Sequence, residues 1–426
     1  VARFLPTELA SLGFVAISVG AAARASLESG TTQILVSSEK VDSELIATSY
    51  HLEVLKGCVL ASVLFAASAT VYLWPVNGVP WEAVAMGALV PLSMAFINPA
   101  YRLWERSGEH RRVVLVTTIG NVVGLASLAL LFILGAGWWS IPLSIAVGQG
   151  VTTLLSHLRG DPIPRDRPRF AALRDLFLRG SPFVLSGMAA YFSTLGVDLL
   201  LALFGAVTWV APYRLSMALV HTVLSAIPAV LARASLSEEA AKVRRGGALP
   251  APDRRTVMLV AASTALLVPV CYVMLPKVAL FLYGGAWEGT SEVVPPLCAL
   301  VGLKALSTPL STLFVAGRRY WTEARVNLAE AGLGAIAVGA LAQVSIAAGI
   351  WVATGISILA LIARKSLLAH CGAQRFFEGT LNIVVACLAV FLLPLASTTL
   401  GNSVLLAGFG IPFAAGIVLA WLRQRT

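Results

Sequence analysis

Apolar runs of about membrane-crossing length recur from one end of the chain to the other, separated by short polar or charged breaks. They predict helices near 8–27, 50–74, 82–104, 113–135, 139–158, 178–204, 209–234, 256–282, 291–316, 323–343, 348–368, 380–397 and 402–422. A hydrocarbon layer roughly 30 Å thick takes about 20 helical residues to cross. The runs are continuous, whereas the strands of a transmembrane barrel alternate over about ten residues. The predicted fold class is therefore all-α, a polytopic membrane protein with thirteen visible transmembrane helices.

The longest breaks set the domain plan. Residues 159–177 hold Asp161, Pro162, Pro164, Pro168 and a run of arginines, the composition of an exposed cytoplasmic linker. It separates an N-terminal bundle of five visible helices, 1–158, from a C-terminal bundle, 178–368, and a final helix pair follows at 380–422. A second cytoplasmic loop at 235–255 carries Glu238, Glu239, Lys242, Arg244 and Arg245. The outer breaks are short, too small for an extracytoplasmic domain. Thirteen helices place the amino terminus outside, and the chain opens on Val1 with no targeting run. The expectation is that one amino-terminal helix is missing and that the full plan is two six-helix bundles plus the terminal pair. Two joined bundles suggest a transporter of repeated halves with its cleft between them near the bilayer midplane.

Composition agrees: of 426 residues, 58% are hydrophobic and only 12% charged, and the mean hydropathy is +0.84. Soluble domains carry about 25% charged residues. Charge then orients the chain. Numbering the breaks alternately, 27 of the 31 basic residues fall in or within two turns of the inner breaks. Arg364 is counted among them, in the group Arg364, Lys365 and Arg375. Only Arg3 and Lys277 lie on the outer side, while Arg214 and Lys304 are inside helices. The positive-inside rule thus explains the net charge of +10 as topology, with a secondary attraction to anionic lipid. Basic residues scattered over short loops do not form a nucleic-acid surface. Cys58, Cys271, Cys298 and Cys387 sit in apolar runs and Cys371 in an inner loop, without metal or redox spacing.

Several segments resemble a known family. Leu178-Arg179-Gly180-Ser181-Pro182 with Leu185-Ser186-Gly187 looks like a helix entry of the Wzx-type polysaccharide flippases, members of the multidrug, oligosaccharidyl-lipid and polysaccharide (MOP) exporter superfamily. Asp198-Leu199-Leu200-Leu201, Gly205-Ala206, Tyr213 and Pro228 follow at that family's spacing. Tyr283-Gly284-Gly285-Ala286-Trp287, the segment Pro309 to Gly317, Gly148-Gln149 and Arg106 to Arg112 also fit. No single motif is specific; the resemblance lies in their order over nearly the whole chain. The front departs from the pattern, because the family's first helix has no counterpart.

Charges inside membrane helices are costly, about 2.5–3.5 kcal/mol each on insertion scales, and usually meet a partner or a watery path. Asp198 and Arg214 flank the outer turn at 205–208 at matching depth. They read either as a salt bridge or as a cation or proton site beside a basic lumen. Lys304 and Glu330 flank the inner turn at 317–322 at depths within about one helical turn. They read as a neutralising pair, or with Lys304 as an anion attractor. His221 is mid-helix, as a titrating group or a packing histidine. Glu53 and Lys56 are placed to pair locally. Gln149, Asn98 and Asn121 either line a polar cleft or join helices. Pro91, Pro182, Pro228, Pro269, Pro309 and Pro412 mark kinks that serve as hinges or as static bends.

The resemblance implies a flippase in the inner (cytoplasmic) membrane with a cytoplasmic carboxyl terminus. It would move undecaprenyl-pyrophosphate-linked oligosaccharide repeat units from the inner to the outer leaflet by alternating access. Candidate substrate-binding residues are Arg214, Lys304, Arg24, Arg102 and Gln149; candidate ion-coupling residues are Asp198, Glu330 and His221. No cofactor or metal is expected beyond proton or sodium coupling. Expected partners are the lipid-linked oligosaccharide, membrane lipid, and a polysaccharide polymerase with its assembly proteins; nucleic acid is not among them. The alternative is a cation-coupled multidrug or other lipid-linked-substrate exporter of the same superfamily. An enzyme is not expected, since the loops offer no clustered acids or histidines.

Overall fold

The computed structural model describes residues 6–369 apart from 38–40, 76–78, 108, 165–169, 245–253, 285–286 and 317–318. Within them lie α1 (Thr7–Ser37), α2 (Ser43–Leu73), α3 (Trp81–Gly87), α4 (Leu89–Ala95), α5 (Ala100–Ser107), α6 (His110–Ile133) and α7 (Ser140–Arg159). They continue with α8 (Phe170–Thr194), α9 (Gly196–Leu203), α10 (Val210–Arg244), α11 (Arg254–Tyr283), α12 (Glu288–Ala316), α13 (Tyr320–Leu341) and α14 (Ile346–Ala369). The expected helices up to residue 368 all have counterparts; those at 380–397 and 402–422 lie outside the described residues. Eight of the described helices are long and apolar enough to cross a membrane, alongside shorter apolar stretches at Thr7–Ala23 and Trp81–Ala95. The chain is an all-α, polytopic membrane protein.

Two predicted helices are broken. The run 82–104 divides into α3, α4 and α5. Pro91 has no N–H to offer the carbonyl four residues back, and the chain bends at Ala88, one turn before it. Pro99 then excludes Asn98 from helical backbone, which ends α4. The freed groups are satisfied by α7: Thr153 Oγ1 donates to Ser93 O at 2.7 Å, and Asn98 N donates to Ser156 Oγ at 2.9 Å. His157 Nε2 lies 2.6 Å from Phe96 O. Asn98 is thus a cap for a helix break, with its own side-chain carbonyl accepting from Ala100 N at 2.9 Å. The run 178–204 starts earlier, at Phe170, and breaks at Leu195 between α8 and α9. Pro228, Pro269 and Pro309 lie inside continuous α10, α11 and α12, and Pro412 is outside the described residues.

The turns after α6 and α9 are built alike. Gly135-Ala136-Gly137-Trp138-Trp139 and Gly205-Ala206-Val207-Thr208-Trp209 each close a helix with a left-handed glycine, at φ 82° and 78°, and lead through a 3₁₀ turn into the next helix. In both, the glycine N–H and the next N–H turn back to carbonyls of the ending helix: Gly135 to Phe132 and Ala136 to Leu131, Gly205 to Ala202 and Ala206 to Leu201, at 2.7–3.0 Å. The tryptophans suit the membrane–water boundary. A Cβ on Gly135 would meet nothing within 4 Å, so only backbone strain opposes it. Gly135→Ala is expected to lower stability by about 1–2 kcal/mol, read as a drop in melting temperature in detergent.

The chain divides into two compact units, Val1–Ala211 and Pro212–Thr426. In the first, α1 packs on α2, α3, α4, α7, α8 and α9, and α6 lies against α7. That last pair meets almost backbone to backbone: a Cβ on Gly148 would lie 2.9 Å from Gly120 O, and one on Gly124 3.1 Å from Ser144 O. The outward faces of α2 and α6 remain apolar and exposed, with Val63, Phe65, Leu125 and Ile133 among them. Such faces suit lipid. In the second unit α12 is the core, packed by α11, α13 and α14, and 78% of its apolar window is buried against 17% for α2 and α6.

Candidate functional site

The second unit gathers charge around α12, α13 and α14. Glu323, Asn327 and Glu330 stand at i, i+4 and i+7 of α13, which puts them on one face of an otherwise apolar helix. Across from them, near the carboxyl end of α14, Arg364 is 1% exposed. Its Nη1 lies 2.8 Å from Glu330 Oε2 and its Nε 3.4 Å from Glu323 Oε1. Nη2 donates to Asn327 Oδ1. One guanidinium therefore spans two carboxylates and an amide, all within a helix pair. Both carboxylates are buried, and the second oxygen of Glu323 has no hydrogen-bond partner among the described residues.

The count by side takes Arg364 only as a cation within two turns of an inner break; the structure adds that it is buried in this cluster, and it gives Glu330 a closer partner than the expected Lys304. Glu330 gives its close approach to Arg364, while Lys304 acts on both Glu330 and Arg364 at longer range. Two acids and two bases make the set neutral when all are ionised. A buried set so balanced avoids the several kcal/mol that one unmatched buried charge costs. Sequence reasoning misses Arg364 because a basic residue five positions from a helix end looks like interface. The signal that could find it is the polar face Glu323-Asn327-Glu330, which needs a cation at the same depth.

Lys304 sits on the buried helix α12 between Leu303 and Ala305, which are 2% and 5% exposed, yet it keeps part of its own surface accessible. Pro309, inside the continuous helix, cannot bond the Ala305 carbonyl, and the Ser307 and Thr308 hydroxyls donate to the neighbouring Lys304 O at 2.8 and 3.2 Å. On α10, Arg214 and His221 are seven residues apart on one face, and His221 is exposed. Ser225 Oγ lies 3.0 Å from His221 Nδ1. The positive charges of Lys304 and Arg214 both act on His221, and α10 meets the start of α12 where Ser216 Oγ donates to Thr290 O at 3.2 Å. Arg214, His221 and Lys304 thus form a basic tract in the second unit.

The first unit holds Asp198, fully buried in the first turn of α9. The break at Leu195 creates that helix start, where a carboxylate is favoured by the free N–H groups. Ser18 of α1 donates to Asp198 Oδ2 at 2.9 Å, and Tyr191 of α8 lies within electrostatic reach. Asp198 and Arg214 belong to different units, so each is placed only among its own neighbours. Arg102 of α5 rests over the Tyr101 ring, 5.1 Å from its centroid. Gln149 is half-buried on α7 and Asn121 is exposed on α6. The Arg24 side chain lies outside the described residues. Lys56 and Glu53 approach at 4.0 Å, as their spacing suggests. Cys58, Cys271 and Cys298 are free, and Cys371 and Cys387 fall outside the described residues.

Solved structures of similar fold put this geometry in context. The chain is similar to an inward-facing multidrug resistance MATE family transporter of the MOP superfamily, at 17% identity and a TM-score of 0.60, covering 87% of this chain and 93% of that one. It is similar to the lipid II flippase MurJ in an inward closed conformation, at 13% identity and a TM-score of 0.65, covering 99% and 95% of the two chains. A eukaryotic MATE transporter, AtDTX14, matches at 15% identity and a TM-score of 0.54, over 90% of this chain and 87% of that one. Identities this low speak for the fold, which is that of MOP-superfamily membrane transporters. No curated protein matches the sequence. The family described as polysaccharide biosynthesis protein, by contrast, matches residues 1–292. That match spans well over half of the 426 residues, so this chain belongs to the polysaccharide biosynthesis protein family.

Proposed function

We propose that this protein is a flippase that moves undecaprenyl-pyrophosphate-linked oligosaccharide units from the inner to the outer leaflet by alternating access. The observation that carries the reading is the basic tract Arg214, His221 and Lys304 within an apolar helical unit. A diphosphate and sugar head cannot enter hydrocarbon unaided, and fixed cations in a dry surround attract it. In this reading Arg214 and Lys304 hold the anionic head, Arg24 and Arg102 draw it in from the inner side, and Gln149 offers a polar group. Asp198, Glu330 and His221 are the coupling groups for a proton or sodium gradient, His221 from within the tract itself. The protein resides in the inner membrane with its carboxyl terminus in the cytoplasm, and delivers its cargo to polymerase and assembly proteins.

The test is lipid flipping in proteoliposomes. Lys304→Ala is expected to slow translocation of a pyrophosphate-linked sugar lipid by at least about tenfold, the scale of one charge-assisted hydrogen bond, far more than it lowers abundance in the membrane. Equal losses of rate and abundance would make the lysine structural. The likeness to a multidrug transporter favours a second reading, export of organic cations. Efflux of a cationic dye without movement of the pyrophosphate lipid would decide for that alternative.

A further inference from the structure

We propose that Arg364 is a positioning residue whose task is to hold Glu330 away from Lys304, so that the Lys304 ammonium stays available to a pyrophosphate group. The inference rests on the reading of Lys304 as an anion site. Three observations support it together. Glu330 and Lys304 are electrostatic neighbours, and helix spacing places them at similar depth. A closer partner is present: Arg364 meets Glu330 at 2.8 Å while it is itself steadied by Glu323 and Asn327. Lys304, finally, retains accessible surface on a helix whose other residues are largely buried.

The geometry also explains why an arginine is needed. A guanidinium presents donors in a flat fork and can face two carboxylates and an amide at once. Glu330 is then engaged by Arg364 of α14. Removing the fork leaves Glu330 in the same low-dielectric surround with Lys304 as the cation within reach. The carboxylate turns to it, and the two neutralise each other. An anion arriving afterwards must compete with an internal carboxylate. The cluster therefore affects binding without touching the ligand.

The experiment uses the full chain in lipid nanodiscs and measures farnesyl pyrophosphate binding by calorimetry, with melting temperature recorded for each variant. The central variant is E323Q/R364Q, which removes one charge of each sign and leaves Glu330 free to turn. Its affinity is expected to fall at least about tenfold, matching K304A, and the triple variant E323Q/E330Q/R364Q is expected to recover most of that decrease. A merely structural role would make affinity follow melting temperature through the series, whereas here E323Q/R364Q is expected to lose affinity at a melting temperature close to that of the triple variant. Should E323Q/R364Q fail to fold, R364K answers the same question: it keeps a cation on Glu330 and is expected to bind within about threefold of the wild type. Wild-type affinity in E323Q/R364Q, an unrescued triple variant, or a tenfold weakening in R364K would each overturn the proposal. Wild-type affinity in K304A would instead overturn the anion site itself, which separates the two failures.

Discussion

Arg364→Met is expected to destabilise the protein by about 3–5 kcal/mol, the range for breaking a buried ion pair by removing one partner. Methionine matches the length of the arginine stem but leaves Glu323 and Glu330, both buried on the same face of α13, without the guanidinium that meets them. At least one must take up a proton or carry an unmatched charge out of water. The measurement is thermal unfolding in detergent together with the amount of protein recovered from the membrane. Replacing the whole cluster, with Glu323→Gln and Glu330→Gln alongside Arg364→Met, should restore most of the stability. A neutral hydrogen-bonding face asks for no counter-charge, and well-packed neutral replacements of buried ion pairs are often as stable as the originals. A single Arg364→Met variant that melts like the wild type would mean that the guanidinium is not the partner of these acids.

Gly120→Val is the second large expectation. A Cβ at Gly120 would overlap Thr152 Oγ1 and come within 2.8 Å of Gly148 O. Thr152 is itself held by a 3.0 Å bond to Gly148 O, so it cannot turn aside without breaking that bond. Backbone cannot give way as a flexible side chain can. The helices α6 and α7 must separate, and the tight packing that close approach allows is given up along their length. A cost of about 3 kcal/mol is expected, at the upper end of the usual overpacking range, together with a fall in folded yield. Gly150→Val on the same helix pair serves as the control, since a Cβ there meets nothing within 4 Å. Equal behaviour of the two variants would remove close packing as the explanation.

The candidate site is only half legible in the sequence. Lys304, Glu330 and Asp198 announce themselves because a charge in an apolar run is rare and costly. Their partners do not. Ser18 is an ordinary serine, 180 positions from the carboxylate it serves. Arg364 looks like one more inner-side cation, since counting charges by side takes no account of which way a residue faces. The helix break at Asn98-Pro99 escapes notice for a related reason. The run around it is apolar enough to read as one span, and the α7 groups that satisfy the broken turn lie about 60 residues further on.

Hydropathy and charge alone are enough to determine a membrane-spanning all-α chain and the approximate placement of its helices as far as residue 369. Both follow from local quantities: the transfer of each run into hydrocarbon, and the cost of moving a cation across it. Which charges meet is decided by the tertiary structure. That depends on the rotation and register of neighbouring helices, and a shift of one residue turns a side chain by about 100° around its axis. Glu330 faces Arg364, and Lys304 is left to act at a distance, because of the register at which α13 packs on α14.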